Sequence, residues 1–237
     1  MQSERPIFVL FDAVGTIIYP DPGVLSVYHQ FGKQHGSQLS IEVISTRFSL
    51  LRRKLFQSEM TGDSTQHDLS RFEFPSSQQI EQQLWRDLVQ QLFTDMADSN
   101  SLFEQLWKHF ANPGHWRVYE DVQCCWESLQ EKGIGIGIAS NFDHRLVPIC
   151  NALGLNEKNS RLFFSADLGF RKPDLRFYRA IEHSLSSESL LMVGDDYIND
   201  YVAPRLCGWQ SLQLVRQKKR QTTESMDSLT ELTDRVN

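Results

Sequence analysis

Three absences bound this sequence. It carries no excess of basic residues: 24 Lys and Arg face 30 Asp and Glu, a net charge of −6 over 237 residues. Nucleic-acid binding is disfavoured, because neutralising phosphates needs a basic face. The basic cluster Arg52-Arg53-Lys54 reads as a solvated helix edge, since Leu50, Leu51, Leu55 and Phe56 surround it. Cysteine is scarce and wrongly spaced for a zinc site or a disulfide framework: Cys124, Cys125, Cys150 and Cys207 contain no Cys-x-x-Cys. Cys124 and Cys125 fall in an amphipathic stretch and read as packing thiols. A reducing, cytoplasmic compartment is the expectation. The opening MQSERP lacks a signal-peptide charge pattern, and the apolar run Ile7–Phe11 is too short for a secretory core or a membrane span.

What is present is strand–helix alternation. Hydrophobic residues make up 40% and charged residues 23%, which suits a globular chain large enough for one domain with an inserted lobe. From Val118 onward, helix and strand patterns alternate. Helices are predicted over Val118 to Lys132, Asp143 to Leu153, Asp174 to Ser184, Ile198 to Leu206 and Asp227 to Arg235. Strands are predicted over Ile134 to Ala139, Leu162 to Phe164, Leu190 to Val193 and Ser211 to Val215. That order predicts an α/β fold, a Rossmann-like parallel sheet with helices on both faces. Residues 20–112 differ: Val24 to His35, Glu42 to Met60, Gln78 to Met96 and Leu102 to Phe110 show helical periodicity, with a polar loop from Thr61 to Ser77 and no clear strand. The expected organisation is a core of residues 1–19 and 113–237, with an all-helical cap, 20–112, inserted after the first strand. His115-Trp116 and Asp21-Pro22-Gly23 flank the insertion and are hinge candidates by position.

Four polar features fall at strand ends, the edge where open α/β sheets hold their chemistry. Asp12 ends the run Ile7–Phe11 and leads into Ala13-Val14-Gly15-Thr16. Ser140 and Asn141 follow IGIGIA. Lys172 stands in Gly169-Phe170-Arg171-Lys172-Pro173. Gly194-Asp195-Asp196-Tyr197-Ile198-Asn199-Asp200 follows LLMV. Each alone is weak; all four, in this order, are not.

The set resembles the haloacid dehalogenase superfamily, in its branch with a helical cap between the first and second motifs, and the resemblance covers nearly the whole chain. It implies Asp12 as a nucleophile forming a covalent intermediate that water cleaves. It implies Mg²⁺ held by Asp12, Asp195 and the backbone carbonyl of Val14, with Asp200 as a further metal-side carboxylate and Asp196 as a competitor. This suits an ion that prefers a few carboxylates, waters and substrate oxygens. Lys172 would balance the acids and stabilise phosphoryl oxygens. Ser140 and Asn141 would bind the same oxygens, and Thr16 would orient the nucleophile. Asp143 and Asp174 read as helix caps. The expected substrate is a small phosphorylated metabolite, with no nucleic-acid or membrane partner, the protein being a monomer or homodimer.

One position departs from the family. Its phosphatases carry an acid two residues after the nucleophile, where this chain has Val14; a positioned acid–base contributes about 10²–10⁴-fold in rate. Three readings stay open. The protein is a slow or selective phosphohydrolase favouring leaving groups that need little protonation. Or it resembles dehalogenases or phosphonoacetaldehyde hydrolases, the latter requiring a cap lysine such as Lys33, Lys54 or Lys108. Or it is a non-catalytic binding or regulatory protein that kept the pocket. Arg47, Arg52, Arg53, His67 and Arg86 are the cap's long polar side chains, and Trp85, Trp107 and Trp116 add aromatic surface, but no motif selects among them.

Overall fold

The computed structural model describes residues 8–56, 69, 72–156, 160–185, 189–216 and 224–236. The far end of the predicted Glu42–Met60 helix, most of the polar loop after it and His67 lie outside that set.

Phe8–Phe11 forms β1, whose last three residues are buried, as a central strand of a parallel sheet requires. It pairs in parallel with β4 (Gly135–Ser140) on one side and β6 (Leu190–Gly194) on the other. Adding β5 (Ser160–Phe164), β7 (Gln210–Leu214) and β8 (Ser225–Met226) gives one sheet in the order β5-β4-β1-β6-β7-β8. The chain steps outward from β1 to β4 and β5, then returns to β1's other side at β6. That reversal makes the carboxyl end of β1 the switch point where such sheets open a crevice.

The period-2 alternation of the strands divides the core between the two faces. Val9, Phe11, Ile136, Ile138, Leu191 and Val193 point to one face, against Val122, Cys125 and Leu129 of α5 (Glu120–Glu131) and Leu146 and Ile149 of α6 (Leu146–Ala152). Leu10, Ala139, Leu190 and Met192 point to the other, against Phe177, Tyr178 and Ile181 of α8 (Leu175–Leu185). Before α8, the single turn α7 (Ser165–Leu168) ends at Gly169. After β6 comes a π-helical turn, Tyr197–Val202, continuing into α9 (Ala203–Leu206). The predicted terminal helix is a 3₁₀ turn, Leu229–Glu231, followed by the short α10, Leu232–Arg235.

Between the first strand and the rest of the sheet stand α1 (Val24–Gln34), α2 (Ile41–Phe56), α3 (Gln78–Leu92) and α4 (Asn100–Ala111). They share a separate apolar cluster that includes Val27, Ile44, Phe48, Leu88, Leu92 and Leu106. Periodicity located all four, because each buries one stripe. It missed a two-stranded antiparallel ribbon at the crossing into and out of the helices: β2 (Ile18–Pro20) pairs with β3 (Trp116–Val118). The hinge candidate Asp21-Pro22-Gly23 follows β2 and His115-Trp116 runs into β3, and Asp21 N donates to His115 O at 2.8 Å. It also missed β8, which is two residues long and carries no readable period. The segment before α3 is not a detached loop: Arg171 N donates to Phe74 O and Ser76 N to Gly169 O, each at 2.9 Å. The four cysteines are free thiols, but only Cys125 of the adjacent pair packs inside; Cys124 is exposed, because consecutive helical residues face different directions.

Candidate active site

The turn after β1 presents Asp12. Asp12 N donates to Val193 O at 2.8 Å, and the chain then wraps on Ala13 O, which accepts from Thr16, Ile17 and Ile18. Gly15 turns with φ +91°, and a Cβ there would lie 3.1 Å from the Asp195 carboxyl atoms. The glycine therefore serves both the left-handed turn and the close approach of Asp195. Gly194 is tighter still, since a Cβ there would fall 2.2 Å from Asp200 Cγ.

Lys172 ties the carboxylates together. Its Nζ donates to Asp12 Oδ1 at 2.7 Å, Asp200 Oδ1 at 2.6 Å and Ala139 O at 2.9 Å, so all three ammonium hydrogens are used. Burial would lower the lysine pKa, but Asp12 and then Asp200 override it and hold the ammonium charged. Burial pushes the Asp200 carboxyl well up, with Asp12 and Asp196 adding repulsion and Lys172 opposing them. Asp200 Oδ2 accepts from Asp196 N at 3.0 Å. Tyr178 donates its hydroxyl to Asn199 O, bracing the same turn from α8.

Among the described residues, Asp12, Asp195 and Asp200 each offer an oxygen within 4.8 Å of the others. A hard divalent cation that takes oxygen donors fits that set. Asp196, the competitor, instead caps the π-helical turn: its Oδ1 accepts from Ile198 N at 3.0 Å and Asn199 N at 2.9 Å.

Asp12, Val14, Ser140, Asn141, Lys172, Asp195 and Asp200 all line one cavity of about 260 Å³ between the sheet edge and the helices. Two predicted residues behave differently from the rest. Thr16 lies outside the lining, fully buried, with its Oγ1 unpartnered among the described residues. The Asn141 amide is committed to the Lys172 backbone, Nδ2 donating to Lys172 O at 2.8 Å and Oδ1 accepting from Lys172 N at 2.7 Å. It clamps the lysine loop from β4. Asp143 and Asp174 each grip the arginine two residues on, Arg145 Nη2 at 2.7 Å and Arg176 Nη2 at 2.8 Å.

The helices contribute Tyr28, Phe48, Phe56, Trp85 and Trp107 to the cavity, with Arg52. Arg52, in the stretch that reads as a solvated edge, is exposed yet reaches this space. Arg47 bonds Leu92 O and Thr94 instead, and Arg86 pairs with Glu104. Among the described lining residues, no Asp, Glu or His comes from the four helices, and Lys172 is the only lysine. So among the described residues no acid from the helices stands in for the one missing at Val14, and no second lysine reaches the cavity for a Schiff base. Arg171 and Arg145 also line the cavity. Sequence reasoning passed over both; Arg171 stood in the quoted Arg-Lys-Pro run.

A sequence model described as haloacid dehalogenase-like hydrolase matches residues 8–208. The chain is 33% identical over 136 residues to haloacid dehalogenase-like hydrolase domain-containing protein 3 of Bos taurus, an alignment covering 54% of each chain. It therefore spans about half the length of that relative. Against the protein of the same name from Danio rerio it is 28% identical over 223 residues, 91% of this chain and 87% of the other. The fold is similar to that of YfnB from Bacillus subtilis, a HAD-hydrolase solved bound to magnesium, with a TM-score of 0.73, 18% identity and coverage of 99% and 100%.

Proposed function

Because this chain belongs to the haloacid dehalogenase-like hydrolase family, we propose that it is a phosphohydrolase acting through Asp12 on small phosphorylated metabolites with good leaving groups. The observation that carries this reading is the convergence of Asp12, Asp195 and Asp200 within 4.8 Å at a cavity floor, with Lys172 bonded to two of them. Residues 20–112 act as the cap and residues 1–19 and 113–237 as the core; the separate apolar cluster of the helices supports that division. The protein works in the cytoplasm, in keeping with its free thiols, as a monomer or homodimer.

Asp12, Asp195, Asp200 and the Val14 carbonyl would hold Mg²⁺, whose charge would offset that of the phosphoryl oxygens. Lys172 engages Oδ1 of Asp12 and so sets the carboxylate's rotation. The carboxylate attacks phosphorus, the bond to the leaving oxygen breaks, and an aspartyl phosphate forms. Water then attacks phosphorus, the bond to Asp12 breaks to return its carboxylate, and phosphate leaves carrying both of the water's protons. Backbone and hydroxyl donors at Ser140 hold the transferred oxygens. Lys172 offsets one of the cluster's negative charges throughout, through its bonds to Asp12 and Asp200. Val14 supplies no proton, so the leaving oxygen departs as an anion; aryl and acyl phosphates meet that demand and alkyl phosphates do not.

The test is turnover of an aryl and an alkyl phosphate, with and without Mg²⁺, by wild type, Asp12→Asn and Val14→Asp. Aryl turnover should require Mg²⁺ and vanish in Asp12→Asn, while Val14→Asp should raise alkyl turnover by about 10²-fold or more. No turnover by any folded variant favours a binding protein. A borohydride-trapped lysine adduct favours phosphonatase chemistry.

A further inference from the structure

The cavity has a cation that the hydrolytic chemistry leaves unused. Arg171 is 6% exposed and lines the cavity, yet its Nε and Nη1 are buried with no hydrogen-bond partner among the described residues. Native proteins rarely leave buried donors unmade, least of all charged ones. Arg145, on the same cavity, shows the contrast: Asp143 takes its Nε at 2.8 Å and its Nη2 at 2.7 Å, and its guanidinium carbon lies 3.4 Å from the Trp107 ring centre.

Arg171 is held along one edge. Its Nη2 lies 3.7 Å from Glu81 Oε2, and Glu81, itself buried on α3, accepts from Ser76 Oγ at 2.7 Å and Ser165 Oγ at 2.8 Å through Oε1. The Phe56 ring lies 4.8 Å from its guanidinium carbon. Burial pushes the Arg171 pKa down, Glu81 opposes this, and the Arg52 charge adds to it. Lys172, the next residue, turns the other way, into the carboxylate cluster. Consecutive cations on one cavity thus have separate partners, Lys172 the carboxylate cluster and Arg171 Glu81 and the Phe56 ring, with Phe48 and Trp85 also in the lining.

We infer that Arg171 determines specificity by binding a second anionic group of the substrate, a carboxylate or a second phosphate, on the leaving-group side. This rests on the phosphohydrolase reading, which assigns the floor to the first phosphate. A guanidinium presents paired donors that match an oxyanion, and fixing one edge on Glu81 pre-organises the rest.

The test is calorimetric binding to the full chain with Mg²⁺, using alkylphosphonates of two to five carbons and their ω-carboxylate and ω-phosphonate counterparts. These phosphonates have a C–P bond in place of the scissile P–O bond and no adjacent aldehyde to activate it, so binding is read without phosphohydrolase turnover. In wild type, at least one length should gain tenfold or more in Kd from the second anion, and the stronger series identifies that anion. In R171Q the gain should fall below threefold, and R171K, which lacks the planar fork, should lose most of it. If R171Q does not fold because Glu81 is left unpaired, R171Q/E81Q supplies the comparison. Equal binding of plain and doubly anionic ligands by wild type, or a gain that survives in R171Q or R171Q/E81Q, overturns the inference and leaves the phosphohydrolase reading standing. Failure of every phosphonate to bind folded wild type overturns both.

Discussion

Replacing Lys172 with methionine removes an ammonium whose three hydrogens bond Asp12, Asp200 and Ala139. Methionine fills similar volume, so the loss is electrostatic. Breaking a buried ion pair by deleting one partner costs about 3–5 kcal/mol, because the other charge stays buried. Here the burden falls mostly on Asp200, 1% exposed, because Asp12 at 9% keeps more contact with solvent. We expect K172M to lose about 3–5 kcal/mol in urea denaturation with EDTA at pH 8. The sign of the pH dependence follows from Asp200. Burial raises its folded pKa above the unfolded value, and without Lys172 the gap widens. Its contribution is then complete below the unfolded carboxylate pKa and lost as pH rises through the folded one, so K172M should approach wild type near pH 4. Adding Asp200→Asn should restore about 1–3 kcal/mol at pH 8, the coupling expected of residues in direct contact. Mg²⁺ should raise the midpoint of K172M more than that of wild type if the freed carboxylates bind it. A loss below about 1 kcal/mol at pH 8, or a double variant no more stable than K172M, would refute the account of Lys172 as the cluster's counter-charge.

Two further outcomes test how the site is held. Gly194→Ala puts a methyl group 2.2 Å from Asp200 Cγ, and overpacking of this kind costs about 1–3 kcal/mol; denaturation within about 0.5 kcal/mol of wild type would contradict the packing. Asp121 accepts from Arg216 Nη2 at 2.6 Å, Ser228 Oγ at 2.8 Å and Leu229 N at 2.8 Å, while Arg216 also donates to Thr16 O. Burial would raise the Asp121 pKa, but these partners hold it below the usual range. A depressed folded pKa contributes stability above the unfolded value and loses it as pH falls through the folded one. Asp121→Asn should therefore cost about 1–2 kcal/mol at pH 7, allowing for partial exposure. The deficit should close below about pH 4, and one independent of pH from 7 to 3 would sink this reading.

The sequence by itself determined the elements that carry a period. β1 reads as buried because both its faces are covered, and the four helices between β2 and β3 read as amphipathic because each buries one stripe. Asp12, Ser140 and Asp195 were legible for the same reason, each sitting where such a run ends; Lys172 was legible only from its Arg-Lys-Pro run, since α7 separates it from the end of β5. The β2–β3 ribbon and β8 were not, being two or three residues long, and the ribbon is moreover defined by a partner far along the chain. Only the tertiary structure chose Asp200 over Asp196 for the carboxylate cluster, spent the Asn141 amide on the lysine loop, and placed Arg171 in the cavity lining with two buried donors unpartnered among the described residues. Periodicity records how one element meets its surroundings. Lys172 and Asp12 are 160 residues apart, and contacts of that span depend on how the elements pack.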